Sequence, residues 1–218
     1  MQKKTLIVVN LAGALLKPID EVISIWCQII RGVGLLPDYK LIYDNFGEDF
    51  ETCLIPKMAE EYGWSNLQIE TIISRAKKVF KDINTSTNAA LADKLRSLKD
   101  IGYALAVVSN KTREKLFDGL LKIGCPHDVF DYIKTGEDGI KKPDIRVFEK
   151  FLLDFDQREI TLVGDSFHFD YRMAKEAGVN FIAIATKCHP KAAWMPYVPE
   201  ENIFESLPQY IDSLLSVA

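Results

Sequence analysis

Residues 6–15 read LIVVNLAGAL: the apolar run Leu6–Val9 stops at Asn10, and Gly13 follows within the same turn. So short a run, rich in β-branched residues and closed by turn formers, reads as a strand covered on both faces. Working outward, runs of the same kind recur at Tyr103–Ser109, Tyr132–Lys134, Ile160–Gly164 and Phe181–Ala185, the first of the series being Thr5–Val9. Between them, apolar residues fall at helical spacing, as in Leu116, Leu120 and Ile123 or Val147, Phe148, Phe151 and Leu152. This alternation predicts an α/β fold, a doubly wound, Rossmann-like parallel sheet of five strands.

One interval is too long. About 90 residues separate the first two runs, where a simple crossover needs a dozen or two. That stretch has its own helical periodicity: Ile19, Val22, Ile23, Trp26, Ile29, Ile30 and Val33; then Phe50, Leu54, Met58 and Tyr62; then Ile72, Ile73, Ala76, Val79 and Phe80. Ser65 and Gln68 form a capping box ahead of the last group. The expected organisation is an α/β core of residues 1–16 and 85–218 with a small helical cap of residues 17–84. Trp26 and Tyr43 are read as cap packing rather than as substrate contacts.

Composition narrows the function. The chain has 218 residues, 48% of them hydrophobic, and a net charge of -4 from 27 basic and 31 acidic residues. There is no broad basic face for nucleic acid and no polybasic membrane patch. Cys27, Cys53, Cys125 and Cys188 lie far apart without zinc-site spacing, so reduced and mostly buried thiols are expected. With no run long enough for a signal peptide or a membrane span, the expected location is cytoplasmic.

In open α/β sheets, ligands bind at the carboxyl ends of the strands. Asn10, Ser109 with Asn110, and Asp165 all lie there; Lys142 precedes Pro143, and Asp170 follows in the fourth-strand loop. Singly, Ser109 could end a strand, Lys142 could be a surface lysine and Asp165 a helix cap. Their joint placement argues for one site.

These residues resemble the haloacid dehalogenase superfamily: AVVSN at 106–110, IKKPDIRVFEK at 140–150 and LVGDSFHFDYRMAKEAG at 162–178 stand where that family carries its second, third and fourth motifs. The resemblance implies the family's core with a helical cap of the first type. It implies Ser109, Asn110 and Lys142 as phosphate-binding residues, and Lys142 and Asp170 as part of the catalytic set. It places Mg²⁺ on position 10, the backbone carbonyl of position 12 and Asp165.

The first motif departs from the pattern. Where the resemblance implies a nucleophilic aspartate there is Asn10, a neutral and poor nucleophile. Where the phosphatases carry a general acid there is Ala12, and Ala14 replaces a threonine. With one carboxylate fewer, Mg²⁺ binding at Asn10, Ala12 and Asp165 is expected to be weak or absent, although any bound Mg²⁺ would screen the aspartates and favour an anion.

The expected function is that of a HAD-like protein without turnover, binding a small anion such as phosphate or serving a protein partner. The alternatives are a working hydrolase, phosphatase or dehalogenase-like, and an engineered inactive form of one. His168, inside the fourth motif, is the only histidine placed to rescue such chemistry, and a solvated loop position is the plainer reading of it. A receiver domain would carry its lysine after the last strand, and a dinucleotide-binding domain would need more glycines than Gly13 alone.

Overall fold

The first strand, β1 (Leu6–Asn10), is buried at every position. Its alternate side chains enter two different cores, Ile7 and Val9 one and Leu6 and Val8 the other. In the computed structural model, which describes residues 5–15, 19–44, 50–82, 89–186 and 189–217, β1 is followed by β2 (Ala104–Val108), β3 (Tyr132–Lys134), β4 (Ile160–Gly164), β5 (Asn180–Ile184) and β6 (Ile203–Phe204). The six make one sheet in the order β3-β2-β1-β4-β5-β6, and every neighbouring pair is parallel. The sheet thus has one strand more than the five expected. β6 spans two residues, too few to leave a periodic signal, and is held by pairing with Ala183 and Ile184.

The chain divides into two compact units, Met1–Pro18 with Ser86–Ala218, and Ile19–Thr85. The second is helical among its described residues: α1 (Ile19–Arg31), α2 (Tyr39–Asp44), α3 (Ile55–Tyr62) and α4 (Asn66–Asp82). Ser65 and Gln68 close the capping box ahead of α4, the Ser65 amide donating to Gln68 Oε1 at 2.9 Å and the Gln68 amide to Ser65 Oγ at 3.3 Å. Trp26 is buried, stacks on Phe50 at 4.9 Å and has the tilted ring of Phe80 at 5.4 Å, so it packs within its own helical unit. Val33 falls in a turn beyond α1, and Val79 is exposed. The side chain of Tyr43 lies outside the described residues.

The core sheet is covered on one face by α5 (Ala89–Asp100), α6 (Arg113–Lys122) and α9 (Leu207–Leu215). Thr112 caps α6 and Ser206 caps α9, each accepting an amide from three residues on. On the other face lie α7 (Arg172–Ala177) and two short 3₁₀ turns, Ile145–Phe148 and Phe151–Leu153. A continuous helix through Val147–Leu152 was the expectation. Instead, the Val147 amide reaches back to the Asp144 carbonyl and the Asp154 amide to that of Phe151, bonds of the tighter three-residue type. Val147, Phe148 and Phe151 remain buried, but the change of pitch turns Leu152 outward. Lys142 therefore stands ahead of a 3₁₀ turn. Beside β5 and β6, α8 (Lys191–Trp194) contributes the fully buried Trp194. Among the described residues, no helix is long and apolar enough to cross a membrane.

Cys27 and Cys125 are buried free thiols, Cys53 is half-buried, and Cys188 lies outside the described residues. Burial pushes the Cys125 thiol up to about 11 and raises that of Cys27. At pH 8 only about a thousandth of Cys125 is thiolate. Neither residue should react with an alkylating reagent until the chain is unfolded, as read by mass spectrometry of native and denatured samples. Rapid labelling of native Cys125 would contradict this packing.

Candidate functional site

The winding of the sheet reverses at β1, which lies between β2 and β4, and the carboxyl ends of these strands frame the crevice such a reversal leaves. Asn10 ends β1 in register with Val108, so Ser109 is one residue beyond that rung. On the other side Val9 is paired with Val163, which places Gly164 and Asp165 at the same level.

Asn10, Lys142, Asp165 and Asp170, from three separate chain segments, are all buried and joined by direct hydrogen bonds. Lys142 Nζ donates to Asn10 Oδ1 at 2.9 Å and to Asp170 Oδ1 at 2.6 Å. Asn10 Nδ2 faces three acceptors: the Ala12 carbonyl at 2.6 Å, Asp165 Oδ1 at 3.1 Å and Asp170 Oδ2 at 3.1 Å. An ammonium on one side and three oxygens on the other leave only one orientation for the carboxamide. Asp170 Oδ2 also receives the amides of Asp165 and Ser166, each at 3.3 Å.

Close backbone approach makes this possible. A Cβ at Gly164 would stand 2.6 Å from the Asp170 carboxyl, and one at Gly13 would stand 1.9 Å from Asp165 Oδ2. Gly13 also has a φ of 91°, which turns the chain back over β1 immediately after Ala12.

The other expected residues have different tasks. Asn110 clamps the third-motif loop, its Nδ2 donating to the Lys142 carbonyl at 3.0 Å and its Oδ1 accepting the Lys142 amide at 2.8 Å. That side chain holds the lysine's backbone at both its amide and its carbonyl. Ser109 is buried at the crevice and its hydroxyl accepts the Lys111 amide at 3.2 Å, which leaves its hydrogen to donate. Ser166, not Asp165, caps the turn after β4, accepting the Phe169 amide at 3.2 Å. Ala12 contributes its carbonyl and a methyl group. His168 is exposed with its ring edge on Phe169.

His189 had no signal in its local sequence, yet its Nδ1 lies 2.8 Å from the Asp165 carbonyl. A carbonyl only accepts, so Nδ1 carries the hydrogen. The contact spans 24 residues and depends on β5 pairing with β4, and it ties Asp165 to the aromatic group of Phe167 and Trp194.

Burial, reinforced by the neighbouring Asp170 charge, raises the Asp165 carboxyl to about 8, against the pull of Lys142 and Asn10. Asp170 is the member of the set in direct ion-pair contact with Lys142, at 2.6 Å. The oxygens that the family resemblance offers to Mg²⁺ are already engaged: Asn10 Oδ1 by Lys142, and the Ala12 carbonyl and Asp165 Oδ1 by Asn10 Nδ2. Asp165 Oδ2 is the one buried oxygen of the set without a partner. The residues as arranged do not fit a divalent cation. Lys142 is the only basic group in this buried set, and Lys142→Ala would leave Asp170 uncompensated. A loss of about 3–5 kcal/mol in denaturant unfolding is expected, largely suppressed when Asp170→Asn accompanies it. A loss below about 1 kcal/mol would place the pair in the weakly contributing surface class.

Residues 41–184 match the family described as haloacid dehalogenase-like hydrolase, a stretch that begins beyond Asn10. Over 155 residues the chain is 32% identical to haloacid dehalogenase-like hydrolase domain-containing protein 3 of Xenopus laevis, covering 68% of this chain and 62% of that protein. Over 101 residues it is 32% identical to a glyceraldehyde 3-phosphate phosphatase of Methanothermobacter thermautotrophicus, covering 45% of this chain and 43% of that one. The chain thus spans less than two thirds of the length of these curated relatives. In fold it is similar to a crystal structure described as a predicted phosphoglycolate phosphatase from Haemophilus somnus, with a TM-score of 0.72, 18% identity and full coverage of both chains. A parallel sheet wound outward from β1 and a buried Asn10–Lys142–Asp165–Asp170 set at its switch point accompany these matches: the chain belongs to the haloacid dehalogenase-like hydrolase family.

Proposed function

We propose that this chain is a family member that binds without turnover, a regulatory or ligand-holding relative of the hydrolases. The observation that carries this reading is the engagement of the Asn10 carboxamide. Its oxygen accepts from Lys142 and its nitrogen donates to both aspartates. No carboxylate stands at the end of β1 to attack phosphorus or carbon, and an amide oxygen drawn toward an ammonium has still less nucleophilic character. Ala12 has no proton to give a leaving group, a deficit of about 10²–10⁴ in rate on its own.

The binding half of the site is better supplied. The Ser109 hydroxyl retains its hydrogen at the crevice, while the Ser109 and Lys111 amides are taken by the Lys134 carbonyl and by Ser109 Oγ. A hydroxyl donor of this kind suits a small anion, phosphate among them. A protein partner remains the other occupant consistent with a non-catalytic relative. The second reading, turnover of a small phosphorylated metabolite, is favoured by the phosphatase among the relatives. It needs a nucleophile other than Asn10, and His168 is exposed against the ring of Phe169.

A panel of phosphate esters, assayed with Mg²⁺ and with EDTA on the chain as it stands, on Asn10→Asp/Ala12→Asp, and on Asp165→Asn, decides between them. The unsubstituted chain is expected to give no hydrolysis above background. Hydrolysis by that chain, lost in Asp165→Asn, would establish the hydrolase and remove this proposal.

A further inference from the structure

We infer that the Asn10 carboxamide is a built-in replacement for the divalent cation of this site, so that the site is assembled without metal and closed to it. The inference rests on the geometry of the site used above, but not on whether the protein turns over a substrate. Asn10 Nδ2 sits within 2.6–3.1 Å of the Ala12 carbonyl, Asp165 Oδ1 and Asp170 Oδ2. One amide group thus gathers three oxygens from the turn after β1 and the loop after β4, as a bound cation would.

Admitting a cation requires more than displacing that group. For Asn10 to offer an oxygen to a cation, the carboxamide must rotate by half a turn, and the rotation brings Nδ2 against the Lys142 ammonium. A cation would satisfy the oxygens on one side and leave two donors facing each other on the other, within a buried site. An aspartate at position 10 meets no such conflict, because its two oxygens are equivalent and one faces the lysine while the other faces the metal. The residue type at this position therefore decides metal dependence.

The unpartnered Asp165 Oδ2 does not reopen the site. The space beside it is the backbone of Gly13, where even a Cβ would stand 1.9 Å away. Mg²⁺ demands six near-octahedral oxygens, several of them waters, and no such shell fits there. Anion binding at Ser109 is accordingly independent of Mg²⁺, in contrast to the expectation from charge alone.

Mn²⁺, followed by the relaxation of water protons, reports binding directly on the full chain and on Asn10→Asp. The unsubstituted chain is expected to show no binding at about 1 mM Mn²⁺, and Asn10→Asp to bind at least about tenfold more tightly. Asn10→Asp should also melt lower than the parent in EDTA and recover with Mg²⁺, whereas the parent's melting temperature, alone or with inorganic phosphate, should not respond to Mg²⁺. Equal Mn²⁺ affinity in the two proteins would overturn the inference. If Asn10→Asp does not fold, the parent alone decides: Mn²⁺ binding that Asp165→Asn abolishes refutes the inference, and its absence supports it. Metal binding without hydrolysis would defeat this inference and leave the proposed function standing; hydrolysis unaffected by EDTA would do the reverse.

Discussion

The structure around the strand ends depends on a single constraint: two carboxyl groups and one ammonium are buried together and must be satisfied from within. Lys142 bonds Asp170 at 2.6 Å with both side chains almost entirely out of water. Such a pair is a strong determinant of geometry and a weak source of net stability, because desolvation offsets most of the attraction. The Asn10 carboxamide makes the arrangement tenable. It gives the lysine a second acceptor and gives the aspartates a shared donor, so that little of the buried polar surface is orphaned.

Much of the surrounding backbone follows from that need. Gly13 and Gly164 let the chain pass within van der Waals contact of the two carboxyls, where a side chain would collide with them. Asn110 holds both the amide and the carbonyl of Lys142, fixing the lysine's base while its tip is fixed by Asp170 and Asn10. His189 restrains the Asp165 backbone from the direction of β5. The side chains of the second, third and fourth motifs are thus held in one bonded set in a chain whose first motif has no acid.

The sheet was legible because parallel strands buried on both faces leave uninterrupted apolar runs, as at Leu6–Val9 and Leu105–Val108. Asn10, Lys142, Asp165 and Asp170 were legible as a group because a parallel sheet sends all its strand ends the same way. What escaped the sequence was contingent on tertiary contact. β6 is two residues held by its neighbour, and Ile145–Leu153 keeps its apolar residues in the core through 3₁₀ turns that their spacing did not announce. His189 acts through a backbone carbonyl 24 residues away. The clamp of the Asn110 side chain on the peptide group of Lys142 likewise joins residues 32 apart. The orientation of the Asn10 amide depends on which donors and acceptors surround it, and that is known only once Lys142 and Asp170 are in place.

The claim that the Asn10 amide occupies the centre of this network is tested most directly at its own two hydrogens. In an amide-resolved nitrogen–proton NMR spectrum of the full chain, the Asn10 side-chain pair is identified by its disappearance in Asn10→Asp. Buried between three oxygens, those hydrogens should exchange with solvent far more slowly than those of exposed asparagines, and their positions should not move on titration with Mg²⁺. Rapid exchange, or a saturable Mg²⁺-dependent shift, would show that the amide is free to turn and that the site still belongs to a cation.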